Sequence, residues 1–249
     1  MLEAALWGLA AASSLIFGSL VAFSVRVSER SLGLVLGYGG GVLISAVAYE
    51  LVAEALVDIP RIPLFAFGFG LGAVTFFVGS VLLARMADRP DANGDADRLD
   101  SRRAPRRQGA AIVLGTVLDG IPESVVLGVS IIGGGSVSVP MLAAIFISNV
   151  PEGLGASADL ERGGVARWRI LALWGIVALA SAGAAALGFG LLSSAAPEAI
   201  AVVQMFAGGA IIAMLAESMV PEAYEKGGRA VGLATALGFA VAASLSMIA

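Results

Sequence analysis

The chain has 249 residues, 58% of them hydrophobic and only 14% charged, with a mean hydropathy of +0.93. A soluble domain carries about 25% charged residues, and a chain of this length could not hide so much apolar side chain from water. Lipid is therefore its expected solvent. There is no Cys and no His, which excludes disulfides, zinc fingers, thiolate metal sites and Cys or His nucleophile–base pairs. Site chemistry must come from carboxylates, amides, hydroxyls, Met or backbone. The net charge of −4 says little about partners, because the charges are segregated along the chain.

Runs of about 18 or more mainly apolar residues read as membrane-spanning helices, and eight occur. The first is Ala4–Val25; Met1-Leu2-Glu3 before it has no basic segment, so it is not expected to be a cleaved signal peptide. The second, Leu32–Leu56, carries Glu50 within its apolar run and glycines at 37 and 39–41, expected to let helices pack closely. The third, Ile62–Met86, holds Gly68, Gly70 and Gly72 for the same purpose. Next comes Asp88–Gln108, with five Asp and six Arg, expected to be a flexible, solvated loop. The fourth run, Gly109–Ile131, contains Asp119 and Glu123. Gly133–Gly135 reads as a short turn before the fifth, Val137–Ala158, which contains Ser148, Asn149 and Glu152. Trp168 and Trp174 flank the start of the sixth, Ile170–Ser193, as expected interfacial anchors. The seventh, Ala199–Glu222, holds Glu217, and the eighth is Ala230–Ile248. The expected fold is all-α, a single transmembrane domain over residues 1–249.

Orientation follows from basic residues near the ends of the runs. Fourteen of the 15 Lys and Arg lie in the first, third, fifth and seventh connections, and Arg61 is the exception. Those connections are expected in the cytoplasm, with both termini outside, in a multi-pass protein of the cell (inner or plasma) membrane. An internal repeat accompanies this pattern. Gly40–Ala55 aligns without gaps on Gly208–Ala223 with seven of 16 positions identical, Glu54 matching Glu222. Because the two runs cross in opposite senses, the repeat is inverted and relates the first three helices to the last three, a construction common in secondary transporters.

A carboxylate inside a bilayer costs about 2.5–3.5 kcal/mol on insertion scales, so one retained there needs a partner or a ligand. Glu50, Asp119, Glu123, Glu152 and Glu217 fall inside the apolar runs. Asp119 and Glu123 are one helical turn apart and share a face. Ser148, Asn149 and Glu152 place a hydroxyl, an amide and a carboxylate on nearly one stripe of the next helix. Each mid-helix Glu follows a proline, in Pro122-Glu123 and Pro151-Glu152. Proline frees a carbonyl about one turn back, and these oxygens are expected beside the carboxylates as further ligands. Pro197-Glu198 reads differently, as a helix start where Pro fits the first turn and an acid suits the dipole. Glu54, Glu222 and Glu225 lie at run ends, as solvated caps or relay groups.

Asp119-Gly120-Ile121-Pro122-Glu123-Ser124, with Asn149-Val150-Pro151-Glu152-Gly153, resembles the paired fourth- and fifth-helix motifs of ZIP (Zrt/Irt-like) divalent metal transporters. The span number, outside termini, long third connection and Gly-Gly…Pro-Glu-Ala pattern extend the resemblance over nearly the whole chain. It implies a mid-membrane metal site, often binuclear. Asp119, Glu123, Ser148 and Glu152 would fall on one metal, and Glu123, Asn149 and Glu152 on a second. The chain departs from the family's pattern at its imidazoles: Asp119 and Glu50 stand where His is usual, Ser148 replaces His or Gln, and the third connection lacks a His cluster. An all-oxygen site suits Mn²⁺, Mg²⁺ or Ca²⁺, while imidazole suits Zn²⁺; carboxylates still accept Zn²⁺ and Fe²⁺.

The expected function is transport of a divalent cation (Zn, Mn, Fe, Cd or Co) toward the cytoplasm by alternating access. The metal is substrate, and no prosthetic group is expected. Expected partners are the cation and the bilayer, with a homodimer as an option and no nucleic acid. One alternative moves protons or a non-metal cation through the same carboxylates; another is a non-transporting metal sensor or scaffold. An enzyme is not expected: Asp119 is the only Asp well inside a span, so no aspartyl dyad can form, and an H-E-x-x-H metalloprotease needs His.

Overall fold

In lipid, backbone polar groups can be satisfied only within helices or a closed barrel, and this chain takes the first route. The computed structural model describes residues 1–58, 62–87, 100–132 and 136–248, and among them there is no strand. The helices are α1 (Leu2–Ser24), α2 (Glu29–Ala46), α3 (Glu54–Asp58), α4 (Ile62–Ala87), α5 (Asp100–Ser130), α6 (Val139–Arg162), α7 (Arg167–Leu192), α8 (Pro197–Met214), α9 (Val220–Gly227) and α10 (Val231–Ser246). Each expected apolar run is mostly helical, with Val25, Ile131, Val137, Ser138, Ser193, Met247 and Ile248 at run ends lying outside the helices. Among the described residues, six stretches are long and apolar enough to cross a membrane: Leu2–Ser24, Glu29–Leu56, Pro63–Arg85, Val139–Arg162, Arg167–Leu192 and Pro197–Ser246. The chain is a multi-pass membrane protein.

Local chemistry sets the helix starts. Ser28 caps α2, its hydroxyl accepting from the Ser31 amide at 3.1 Å, and Ser138 caps α6 by accepting from Met141 N at 3.2 Å. Pro197 and Glu198 occupy the first turn of α8, where a missing N–H costs nothing and an acid meets the positive end of the helix. One boundary differs from expectation. Residues 100–108, expected as loop, are helical and extend α5; four of the nine are Arg, a good helix former, and charge alone does not break a helix. The rest of that stretch, 88–99, and the turn at Gly133–Gly135 lie outside the described residues.

The last stretch is 50 residues long, about 75 Å as a straight helix against a hydrocarbon core of about 30 Å. It does not run straight. Gly33 meets Ala223 and Gly227, while Gly208 meets Val47 and Leu51, so α8 and α9 run antiparallel to α2. Gly37 meets Val231 and Gly41 meets Thr235 and Phe239, so α10 runs parallel to α2. The chain therefore reverses between α9 and α10, at Gly228, whose φ of 66° is open to glycine at little cost.

Helices approach so closely at several glycines that a methyl group would overlap a neighbouring backbone, and the approaches recur in pairs. Gly41 backs on the Thr235 carbonyl as Gly209 backs on that of Phe69, and Gly238 backs on Tyr38 as Gly72 backs on Phe206. In the same way Gly18 backs on Val150 and Gly153 on Leu15, while Gly188 backs on Val125 and Gly128 on Ala185. Small residues let backbones approach in lipid, where van der Waals packing must hold helices together. Of the three glycines expected to pack in α4, Gly68 and Gly72 do so, and Gly70 has open space. The helix deviates at matched places too: α2 gives way to a π-helical segment at Val47–Ala53, and α8 does so at Leu215–Met219. Val47 and Leu215 are equivalent positions in the aligned 16-residue segments.

Trp174 is not an interfacial anchor. It is fully buried, 0% exposed, and its indole N–H donates to Ser157 Oγ at 2.8 Å; Ser157 in turn shares a 2.7 Å hydrogen bond with Ser19. The position that looks like a membrane boundary in sequence is turned inward by packing of α7 on α1 and α6. Trp168, 67% exposed, remains outside the core. Trp174→Phe keeps most of the apolar volume but removes the donor to the buried Ser157 hydroxyl. It is expected to cost about 1 kcal/mol, read as a lower midpoint of thermal unfolding in detergent; an unchanged midpoint would mean that the hydrogen-bond chain adds nothing to stability.

Candidate functional site

On α5, positions 116, 119, 120 and 123 recur at three- and four-residue steps and form one stripe; positions 145, 149 and 152 do the same on α6. These stripes face one another, with Ala11, Ala12 and Leu15 of α1 and Val177 and Ser181 of α7 closing the sides of an enclosed chamber. Its free volume is about 10 Å³, room for roughly one water-sized sphere. Glu123, 3% exposed, and Asn149, 8% exposed, are buried in its wall. Glu123 lies within electrostatic reach of Glu152 and Asp119.

A larger cavity of about 290 Å³ adjoins it, lined in part by Leu36, Ala156, Asp159, Met214, Ser218 and Glu222. Thr116, Asp119 and Glu152 line both spaces and form the septum between them. Thr116 is buried, and its hydroxyl donates to Glu152 Oε1 at 2.7 Å. Among the described residues no Lys or Arg lines either space. Among the described residues, two carboxylates that line the larger cavity are paired with cations outside its lining, Asp159 with Arg162 at 3.3 Å and Glu222 with Lys226 at 2.6 Å, and Arg162 also contacts Glu29 at 3.2 Å. Carboxylates without cations, around a space that small, are costly unless a cation or protons accompany them.

The expected site is brought together in part. Asp119, Glu123, Asn149 and Glu152 share the chamber wall. Ser148 does not: it is 0% exposed, donates to Ile145 O in its own helix at 2.9 Å, and packs on Gly39 of α2. One residue along a helix turns the side chain by about 100°, which puts Asn149 in the chamber and Ser148 against α2. Glu50 and Glu217 also line neither space. Glu50 accepts from Ser138 at 2.6 Å, and Glu217 accepts from Ser80 at 2.6 Å, though Glu217 is near enough to influence Asp119. The expectation for the freed carbonyls fails on α6. Ile147, four residues before Pro151, turns its carbonyl toward Gly39, where a Cβ would stand 3.5 Å from the oxygen.

Among the described residues no three carboxylates are gathered tightly enough to enclose a metal ion; the acidic groups are spread around the chamber. Sequence reading passed over Thr116, Ser181 and Asp159. Thr116 carried a signal, being three residues before Asp119 on the same stripe. Ser181 carried none, since only the packing of α7 brings it to the site. No protein-family model matches the chain, and no curated protein matches it.

Proposed function

We propose that the protein transports a divalent metal cation across a cell membrane, toward the cytoplasm, through the α5–α6 chamber. The observation that carries this reading is the chamber itself: Asp119, Glu123 and Glu152 share the wall of one small enclosed space, with no Lys or Arg among the described lining residues. Their negative charge and the Asn149 amide would replace part of the cation's hydration shell, and the larger cavity offers a route from the chamber toward Asp159 and Glu222. The resemblance of the Asp119–Ser124 and Asn149–Gly153 motifs to ZIP transporters points the same way.

In this reading α5 and α10 each cross the membrane once, as does the α8–α9 stretch, giving eight crossings with both termini outside. The paired glycine contacts and the matched π-helical segments support an inverted repeat of the first three helices and the last three. Rocking of one bundle, built on this inverted repeat, against the α5–α6 side would provide alternating access. Transport of protons through the same carboxylates is the second reading, favoured by their spread around the chamber rather than around one point.

Uptake by proteoliposomes across Mn²⁺, Fe²⁺, Zn²⁺, Cd²⁺, Co²⁺, Mg²⁺ and Ca²⁺ separates the two. Saturable uptake of a divalent ion is expected, with Mn²⁺ or Fe²⁺ ahead of Zn²⁺, because oxygen ligands favour the harder ions. Proton flux with no metal uptake would overturn the metal reading. Asp119→His adds an imidazole and is expected to move the order toward Zn²⁺; an unchanged order would remove Asp119 from the ligand set.

A further inference from the structure

Every residue that lines both spaces belongs to the septum, and the septum has one neutral member. Glu123 and Asn149 line the enclosed chamber alone, whereas Asp159 and Glu222 line the larger cavity alone. A cation passing from one space to the other must pass Thr116, Asp119 and Glu152. Within the septum, the Thr116 hydroxyl donates to Glu152 Oε1 at 2.7 Å. Thr116 is also 6% exposed, so water competes little for its hydroxyl.

We propose that Thr116 is a positioning residue for Glu152: its hydroxyl holds the carboxylate in the septum, aimed at the passing cation, and thereby sets cation affinity. The inference rests on the cation-transport reading above. A carboxylate on a Glu side chain has three rotatable bonds, and unless it is held it samples many positions. A hydrogen bond to a charged group both restricts it and is stronger than a neutral one. Thr suits the position because its short, β-branched side chain is restricted to few χ1 rotamers, which limits where the donor can point. Val matches Thr in shape and stiffness and lacks only the oxygen.

The test is Mn²⁺ binding to purified protein, followed by loss of the free aqua-ion EPR signal, together with initial rates of Mn²⁺ uptake by proteoliposomes. Thr116→Val is expected to raise both Kd and KM about tenfold, equivalent to about 1.4 kcal/mol, with the maximal rate within about twofold of wild type. Thr116→Ser keeps the donor and is expected to restore both constants to within about twofold. A merely structural role would lower the maximal rate and leave KM and Kd alone. Should Thr116→Val fail to insert, Thr116→Ala carries the same expectation. Wild-type Kd and KM in the variants lacking the hydroxyl, with Glu123→Gln inactive, would overturn the role of Thr116 and leave the site standing. Wild-type binding and uptake in Glu123→Gln would instead overturn the site, and this inference with it.

Discussion

Glu123→Gln and Glu152→Gln are each expected to abolish cation uptake, while Glu198→Gln leaves it near wild type. Glutamine keeps the shape of glutamate and one carbonyl oxygen, so the substitution isolates the negative charge. In the proposed function that charge is needed where the ion has lost water: Glu123 is buried in a chamber with room for about one water molecule, and Glu152 stands in the septum. A buried charge without its counter-ion is destabilising. The ion-free variants are therefore expected to unfold at the same temperature as wild type or higher, which distinguishes loss of transport from loss of fold. Glu198 is the control because it sits in the first turn of α8, lines neither space, and differs from the other two only in its surroundings. Wild-type uptake in both core variants, at matched reconstitution, would leave the carboxylates as a structural network.

The second large effect concerns glycines where helices touch. Gly72→Ala and Gly41→Ala each place a methyl group onto a backbone carbonyl of the facing helix, that of Phe206 or Thr235. A flexible side chain could move aside, but a helix backbone moves only by shifting the whole contact. Overpacking typically costs about 1–3 kcal/mol, and the rigidity of the neighbour puts both variants at or above the top of that range. Gly70→Ala is the control, since nothing stands within 4 Å of its Cβ position. Thermal unfolding in detergent should show large drops for the first two and none for the third. Comparable midpoints in all three would mean that the α4–α8 and α2–α10 contacts tolerate separation.

The site was legible where it followed helical spacing. Asp119 and Glu123, one turn apart on α5, and Asn149 and Glu152 on α6 meet in the chamber because residues three or four apart share a face. Ser148 was misplaced for the same geometric reason: i and i+4 spacing to Glu152 leaves the face direction ambiguous by a fraction of a turn, and contact with Gly39 resolves it toward α2. Glu50 and Glu217 share with the core carboxylates only a place inside an apolar run, and sequence does not show what they face. Their partners, Ser138 and Ser80, lie on other helices.

What the sequence determined by itself is the solvent, the helical class and the position of each apolar run, because lipid forces backbone groups to pair within a segment and leaves hydrophobicity as the signal. It also limited site chemistry to carboxylates, amides, hydroxyls, Met and backbone, since the chain has no Cys and no His. Only the tertiary structure decided which face of each helix looks inward. That turned Trp174 from a boundary residue into a buried donor, brought Ser181 of α7 to the chamber and made Thr116 part of a septum. In lipid nearly every face of an apolar helix is compatible with its surroundings, so inside and outside differ little in hydrophobicity. The choice passes to close contacts, glycine against backbone and hydroxyl against carboxylate, which exist only once helices distant in sequence have been packed together.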